Sequence, residues 1–417
     1  MRALFLSVAA SALFAVACNA QSPASGTSGN APASSGGAGQ AVDYGQANTP
    51  EQRPAFAGQT RAPAVGVTVP VQTEVVARGL NRPWAVEMMP NGRLIVTEKE
   101  GRLRIVGRDG RLGEPITGVP RVDARDQGGL LDVALQPDFA SSRRVWISYA
   151  EPQEGGRNNT AVAVGTLAAD DRSLTDVRVV WRQQPAWDST KHFGSRIAFD
   201  GQGHVFITTG ERSNPEPRVF SQDLGAALGK VIRLNLDGSV PRDNPFVGRQ
   251  GALPEIWSYG HRNLQSAAVD AQGRLWTVEH GPRGGDELNL PLAGRNYGWP
   301  VITYGEEYSG QPVGQGLTAR EGMEQPVYYW DPVIAPGGAA FYQGAMFPGW
   351  DGDLLVAGLK DKQLARLVIE NDRVVGEERL LTDLGERVRD VAVAPDGAVW
   401  VITDEDDGKL VRLSVAS

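Results

Sequence analysis

Short β-branched and aromatic runs, each beside a turn signal, recur along the chain from residue 93 to its end. Six stand out: Arg93–Glu98 (RLIVTE), Arg144–Tyr149 (RVWISY), His204–Glu211 (HVFITTGE), Arg274–His280 (RLWTVEH), Asp353–Gly358 (DLLVAG) and Ala398–Thr403 (AVWVIT). Their length and content are those of strands rather than helices. Five closely follow a dipeptide ending in glycine: Asn91-Gly92, Gln202-Gly203, Gln272-Gly273, Asp351-Gly352 and Asp396-Gly397. Such dipeptides accept the positive φ that a tight hairpin needs. A further strand follows several runs after a short gap, within Glu98–Val106, Gly358–Ile369 and Asp404–Leu413. The repeating unit is therefore a hairpin. Six such units without long helical periodicity predict an all-β chain whose small antiparallel sheets form a ring, a six-bladed β-propeller, against a β-sandwich or irregular barrel. In a ring, loops from different blades converge at one end of the central channel, where residues distant in the chain can meet.

The N-terminal residues break this pattern and set the compartment. After Met1-Arg2 an apolar stretch runs from Ala3 to Ala17, the layout of a secretory signal over residues 1–20 and too short for a permanent membrane span. The sole cysteine, Cys18, sits directly behind Ala15-Val16-Ala17. Two fates are open to it: lipidation, which would anchor a periplasmic protein to the outer membrane, or removal by ordinary cleavage after Ala20. One cysteine permits no intramolecular disulfide, so the fold must be stable from its core alone. Residues 21–64 are dominated by Gly, Ala, Ser, Pro, Gln and Thr and are expected to form a flexible tether, leaving 65–417 as one catalytic domain. A net charge of −8 argues against nucleic acid, which needs a dense basic surface. The expected partner is a small molecule.

Only four histidines occur, and His192 is the most suggestive. It precedes Gly194 on a loop entering a strand, and Glu211 ends the next strand; a carboxylate held against an imidazole fixes its tautomer and raises its basicity, as a general base requires. A structural histidine is the alternative. Tyr259–Gln265 (YGHRNLQ) brings together Arg262, Asn263 and Gln265, which suit a planar, oxygen-rich ligand or a solvated loop. In Glu279–Pro300, Gly and Pro expose carbonyls while Asp286 and Glu287 add carboxylates, oxygen donors that favour calcium unless they are simply surface acids. Lys360, Arg387 and Arg389 lie on two different units; facing the channel they await an anion, and facing water they are ordinary charges. Zinc-protease, nucleophile-elbow, Walker and dinucleotide motifs are absent, as is a cysteine nucleophile in the folded part. Asp404–Gly408 (DEDDG) superficially resembles a calcium loop but lacks the later glutamate and sits where a hairpin turn belongs.

Taken together these segments resemble the soluble pyrroloquinoline-quinone (PQQ)-dependent sugar dehydrogenases, in their bacterial aldose sugar dehydrogenase branch. The resemblance rests on LNRPWAVEMMPNGRLIVTE, DQGGLLDVALQPDF, HFGSRIAFD, LGKVIRLNLDGS, YGHRNLQ, EHGPRGGDELN, NYGWP, GLKDK and RVRDVAVAPDG, in the family's order. It implies a six-bladed propeller with the quinone over the channel mouth, His192 as base toward the sugar's anomeric hydroxyl, and Arg262 stabilising developing negative charge. It further implies cofactor contacts from Gln127, Asn263, Gln265, Tyr308, Asp331, Pro332 and the Gly358-Leu359-Lys360 turn, with Lys360, Arg387 and Arg389 suited to its carboxylates. Calcium is expected on the backbone oxygens of Gly281 and Pro282, and a separate structural calcium at Glu287 and Tyr297. Two departures matter. Some members place Asp where Glu211 stands, which leaves that residue's role open, and the long insertions of glucose-specific members are missing, which implies broad aldose acceptance. The electron acceptor is not implied. Two other readings stand beside this one: a calcium-dependent propeller lactonase or related hydrolase, and a non-catalytic propeller displaying a binding surface.

Overall fold

The computed structural model describes residues 39–42, 44–66 and 69–416. The expected signal over 1–20, with Cys18, lies outside them, as does the expected tether up to residue 38. From residue 71 the chain is largely strand. β1 (Val71–Leu80) precedes a three-stranded first blade of β2 (Pro83–Met88), β3 (Leu94–Glu98) and β4 (Arg102–Val106). The second blade is β5 (Leu130–Leu135), β6 (Arg144–Pro152), β7 (Asn158–Leu167) and β8 (Leu174–Arg182). The third is β9 (Gly194–Phe199), β10 (His204–Thr209), β11 (Lys230–Asn235) and β12 (Ile256–Tyr259). The fourth is β13 (Leu264–Val269), β14 (Leu275–Glu279), β15 (Asp286–Asn289) and β16 (Tyr328–Trp330). The fifth is β17 (Pro336–Phe341), β18 (Leu354–Gly358), β19 (Gln363–Glu370) and β20 (Arg373–Leu380). The sixth joins β21 (Val388–Val393), β22 (Val399–Thr403) and β23 (Gly408–Val415) to β1, which pairs antiparallel with β23 and sets Val71 opposite Val415. The two ends of the ring are thus clasped in one sheet, so no open edge remains between them. The innermost strands β2, β5, β9, β13, β17 and β21 touch in that order and close on themselves around the channel. The predicted six-bladed propeller is the observed fold.

Each of the six sequence runs is the second strand of its blade. These strands are apolar because blades stack face to face: every residue of β3, β14, β18 and β22 is buried, and each buried Val, Leu or Ile contributes about 1.5–3 kcal/mol. Trp146 and Trp276, both fully buried, fill the stacking layers with their indole N–H groups donating to Gln136 (3.0 Å) and Asp270 (2.9 Å). The glycine turns before the runs join innermost to second strands at one edge of the ring. Antiparallel pairing therefore puts the starts of the innermost strands and the ends of the second strands at the opposite edge.

At that opposite edge all six blades carry the same irregularity. The innermost strand has one residue more than its partner, between Pro83 and Ala85, Leu130 and Val133, Gly194 and Ile197, Leu264 and Ser266, Pro336 and Ala339, and Val388 and Asp390. A β-bulge leaves its extra residue outside the ladder and re-aims it. In the first, fourth and sixth blades that residue is Trp84, Gln265 and Arg389.

The expected tether is different in its last part. Residues 44–66 lie along the fourth and fifth blades as a strap: Ala62 and Gln59 are fully buried, the Ala62 N–H donates to Tyr328 Oη (2.9 Å), and Ala64 forms a parallel bridge with Glu377. The composition argument failed here because a strap needs few apolar residues of its own when it borrows an existing surface and satisfies its backbone on it.

Candidate active site at the channel mouth

A cavity of about 470 Å³ opens at the bulged edge, lined among others by Trp84, Gln127, Asn263, Gln265, Arg387 and Arg389. Its floor is polar. Arg196, in the bulge of the third blade, bonds Asp132 (2.9 Å) and Asp390 (3.0 Å) from the second and sixth, while its Nε donates to the Gln265 carbonyl (2.8 Å). The guanidinium groups of Arg196 and Arg389 both lie over the Trp84 ring, 4.3 and 4.2 Å from its centre, which holds the indole and both cations together.

His192 occupies the loop before β9 at φ +50°, a backbone position that a bulky residue takes only when its surroundings hold it there. They do: Arg212, fully buried, donates from Nε to the Lys191 carbonyl (3.0 Å) and from Nη2 to Ser189 O (2.5 Å) and Asn158 Oδ1 (2.6 Å). Gln127 Oε1 accepts the His192 N–H (2.9 Å). The imidazole Nδ1 lies 2.6 Å from Glu211 Oε2. Burial pushes His192 below its ordinary pKa, and Arg262 and Arg212 add to this; Glu211 opposes them without prevailing. Burial works against the Glu211 carboxylate, but His192, Arg262 and the Ser213 N–H outweigh it and keep it ionised. The pair near neutrality is therefore a carboxylate accepting from Nδ1–H of a neutral imidazole, with Nε2 left unprotonated.

Arg262, just before β13, is buried; its Nη1 donates to the carbonyls of His280 (3.0 Å) and Gly281 (2.7 Å), while Nε has no partner. Asn263 Oδ1 accepts the Gly194 N–H (3.1 Å), and Gln265 Nε2 donates to the Gly194 carbonyl (3.2 Å). Gln265 Oε1 accepts from Arg389 Nη2 (2.7 Å). Arg389 forms no ion pair among the described residues, its Nε has no acceptor, and burial pushes its guanidinium down to about 9. His280 is pushed down to about 3 by burial and by Arg262, His192 and Arg389 around it. These four groups thus act on one another at one rim.

The remaining expected contacts divide. Arg387 lines the cavity but is neutralised by Asp404 (3.1 Å), and Leu359 lines it beside Gly358, the buried end of β18. Lys360 is exposed and does not line it; the convergent cations are instead Arg387, Arg389, Lys99 and Arg82, the last paired with Asp406 (2.5 Å). Tyr308 is 74% exposed on a loop whose Glu307 pairs with Arg218, away from the cavity lining. Asp331 and Pro332 also lie outside it: both Asp331 carboxylate oxygens are taken by the strap. Asp404–Gly408 is the expected hairpin turn, yet it brings Asp404, Glu405 and Asp406 to the mouth. Trp84, Lys99 and His280 were not anticipated. Trp84 stands in LNRPWAVE, where a tryptophan directly after a strand-opening proline was the available signal.

The glycine-rich segment is organised around a buried carboxylate. The Gly281 N–H and the Ala335 N–H both donate to Asp286 (2.8 Å each), and the Gly281 carbonyl accepts from Arg262 Nη1 (2.7 Å). Burial pushes Asp286 up to about 7. Burial and the neighbouring Glu279 also raise Glu287 well above the usual carboxylate range. Tyr297 stacks on His261 (4.7 Å between ring centres), and its hydroxyl donates to the Leu290 carbonyl (2.5 Å).

The sequence pattern of the family described as Glucose / Sorbosone dehydrogenase matches residues 80–412. The chain is 45% identical over 348 residues to the aldose sugar dehydrogenase YliI of Escherichia coli, covering 82% of this chain and 93% of that one. A crystal structure of a glucose dehydrogenase superposes with a TM-score of 0.80 at 48% identity, covering 83% of this chain and all of the other. The PQQ-bound form of an aldose sugar dehydrogenase from Streptomyces coelicolor gives 0.67 at 29% identity, covering 84% and 99%. Aligned with the family pattern through all six blades and sharing its ring, the chain belongs to the glucose/sorbosone dehydrogenase family.

Proposed function

We propose that this protein oxidises aldose sugars at the anomeric carbon to lactones, using PQQ and calcium at the channel mouth, with broad sugar acceptance. The carrying observation is a neutral imidazole oriented by Glu211 in the same buried cluster as Arg389, a cation that Asp404 and Asp390 favour only from a distance and that forms no direct ion pair among the described residues. A buried charge without a direct ion pair is costly and suits an anionic ligand. Such a cofactor would supply the two-electron acceptor, polarised by calcium as a Lewis acid.

Arg389 and Arg387 would hold the cofactor's carboxylates, while Asn263, Gln265 and Gln127 order its bed. The Gly281 and Pro282 carbonyls would hold calcium, whose remaining ligands come from cofactor and water, as suits a hard cation. A second calcium at Glu287 and Tyr297 would relieve the Glu279–Glu287 repulsion. His192 Nε2 takes the proton of the anomeric hydroxyl, Glu211 stabilises the imidazolium, and Arg262 stabilises negative charge developing beside it. The short connections between the fourth and fifth blades, residues 331–335, and between the fifth and sixth, residues 381–387, would leave the rim open to different aldoses. Export to the periplasm, with Cys18 as a lipid anchor or removed, and transfer of electrons to an acceptor outside this chain belong to the same proposal. The hydrolase reading asks for side-chain carboxylates that hold calcium by themselves; among the described residues no group of three or more His, Cys, Asp or Glu is placed to do so.

The test is reconstitution of purified apoprotein with PQQ and calcium, followed by dye reduction with several aldoses. His192→Gln should still bind the quinone and lose turnover by about two to four orders of magnitude. No reduction with any sugar, in wild-type protein that binds calcium, would favour a hydrolase or a binding module.

A further inference from the structure

Near its start the strap meets Asp331, a carboxylate packed against the glycine-rich segment. Asp331 Oδ1 accepts the Asn48 N–H (2.8 Å), and Oδ2 accepts the Thr49 N–H (3.0 Å) and hydroxyl (2.8 Å). The same hydroxyl lies 3.1 Å from the Tyr304 carbonyl. Asp331 and Tyr304 are the two walls of a slot that holds Gly284 and Gly285. A Cβ on Gly284 would fall 2.8 Å from Asp331 Oδ1, and one on Gly285 would fall 2.6 Å from the Tyr304 carbonyl carbon. Both glycines also have positive φ, +89° and +70°, so the segment is pressed against both walls. Beyond Asp331 the chain runs directly to Ala335, whose N–H shares Asp286 with Gly281.

Thr49 precedes the part of the chain that the family pattern covers, which begins at residue 80. The crystal structure of the glucose dehydrogenase is matched over its whole length by only 83% of this chain. The strap thus lies outside the stretch that the family pattern covers and braces a loop inside it.

We propose that Asp331, latched by Asn48 and Thr49, is a positioning residue: the strap holds the Gly281–Gly285 segment and the Asp331–Ala335 loop in register, so that the Gly281 and Pro282 carbonyls stay set for the cation. The functional consequence rests on the PQQ and calcium reading; the latch itself does not. Asp331 has no part in this as a cofactor contact, because its oxygens are committed to the strap.

The test compares Thr49→Val, Thr49→Ser and Asp331→Ala by amide hydrogen exchange of the full-length apoprotein, then by the calcium concentration giving half-reconstitution with PQQ. Loss of one or more buried hydrogen bonds should speed exchange at Gly281 and Ala335 by about fivefold or more in Thr49→Val and Asp331→Ala. β14 and β18 should stay protected, and the calcium requirement should rise by a similar factor. Thr49→Ser, which keeps the hydroxyl, should match wild type. Unchanged exchange at Gly281 and Ala335 in both disrupting variants, or equal acceleration throughout the ring, would overturn the latch. Local acceleration as expected in a wild-type background that never takes up quinone would uphold the latch and sink the sugar-oxidation reading instead.

Discussion

Replacing Arg389 with methionine should separate the stability of the empty ring from its affinity for an anion. In the apoprotein Arg389 gains a charged hydrogen bond to Gln265 (2.7 Å) and the Trp84 face (4.2 Å), together about 2–4 kcal/mol. Against this stands burial, which pushes its guanidinium down to about 9. At about 1.4 kcal/mol for each tenfold change in proton affinity, that displacement opposes the charge by a similar amount, about 4–5 kcal/mol. The two offset to within about 3 kcal/mol, so urea unfolding of apo Arg389→Met should fall within about 3 kcal/mol of wild type. With a dicarboxylate bound the same cation is half of a buried pair, and removing it costs about 3–5 kcal/mol. The dissociation constant for PQQ, from titration in excess calcium, should therefore rise by about two to three and a half orders of magnitude. An affinity within threefold of wild type would refute the assignment of Arg389 as the anion's partner. A large loss of apoprotein stability would refute the statement that its charge lacks a direct ion pair.

Glu211→Gln should keep cofactor binding but lower the turnover plateau by about tenfold or more, since the imidazolium loses its counter-charge. Because the Glu211 charge raises the His192 pKa, the acid limb of the pH–rate profile should move to lower pH; an unchanged plateau or a limb moving upward would contradict the pairing. Glu377, fully buried and pushed up to about 8 by burial, binds its proton more tightly folded than unfolded. Its contribution is complete below the ordinary glutamate range and is lost as pH rises toward 8. Glu377→Gln should thus gain stability relative to wild type by about 1.4 kcal/mol for each pH unit above 4.5; melting curves with a pH-independent difference would sink this.

The chain's own pattern was enough for the ring. Six apolar runs became the six second strands because a blade stacked on both sides must be apolar at that position whatever its neighbours are. His192 with Glu211 was legible because the histidine's loop enters one strand and the carboxylate ends the next, Asn263 because it stands in the polar Tyr259–Gln265 segment, and Gln127 only through the family resemblance. Lys360 and Tyr308 were not separable from the true lining, since a residue beside a strand end faces either the channel or water according to turn geometry that composition does not encode. Asp331 was equally opaque: its carboxylate is claimed by Asn48 and Thr49, some 280 residues earlier, in a stretch whose polar composition predicts a tether.

Tertiary structure alone decided which side chains look into the mouth. Side-chain direction along a strand alternates strictly, so a single added residue reverses it, and in every blade that addition falls at the rim edge. Trp84, Gln265 and Arg389 owe their place to it. No local pattern announces a bulge, because it arises from the mismatch between two paired strands and the curvature of a closed ring.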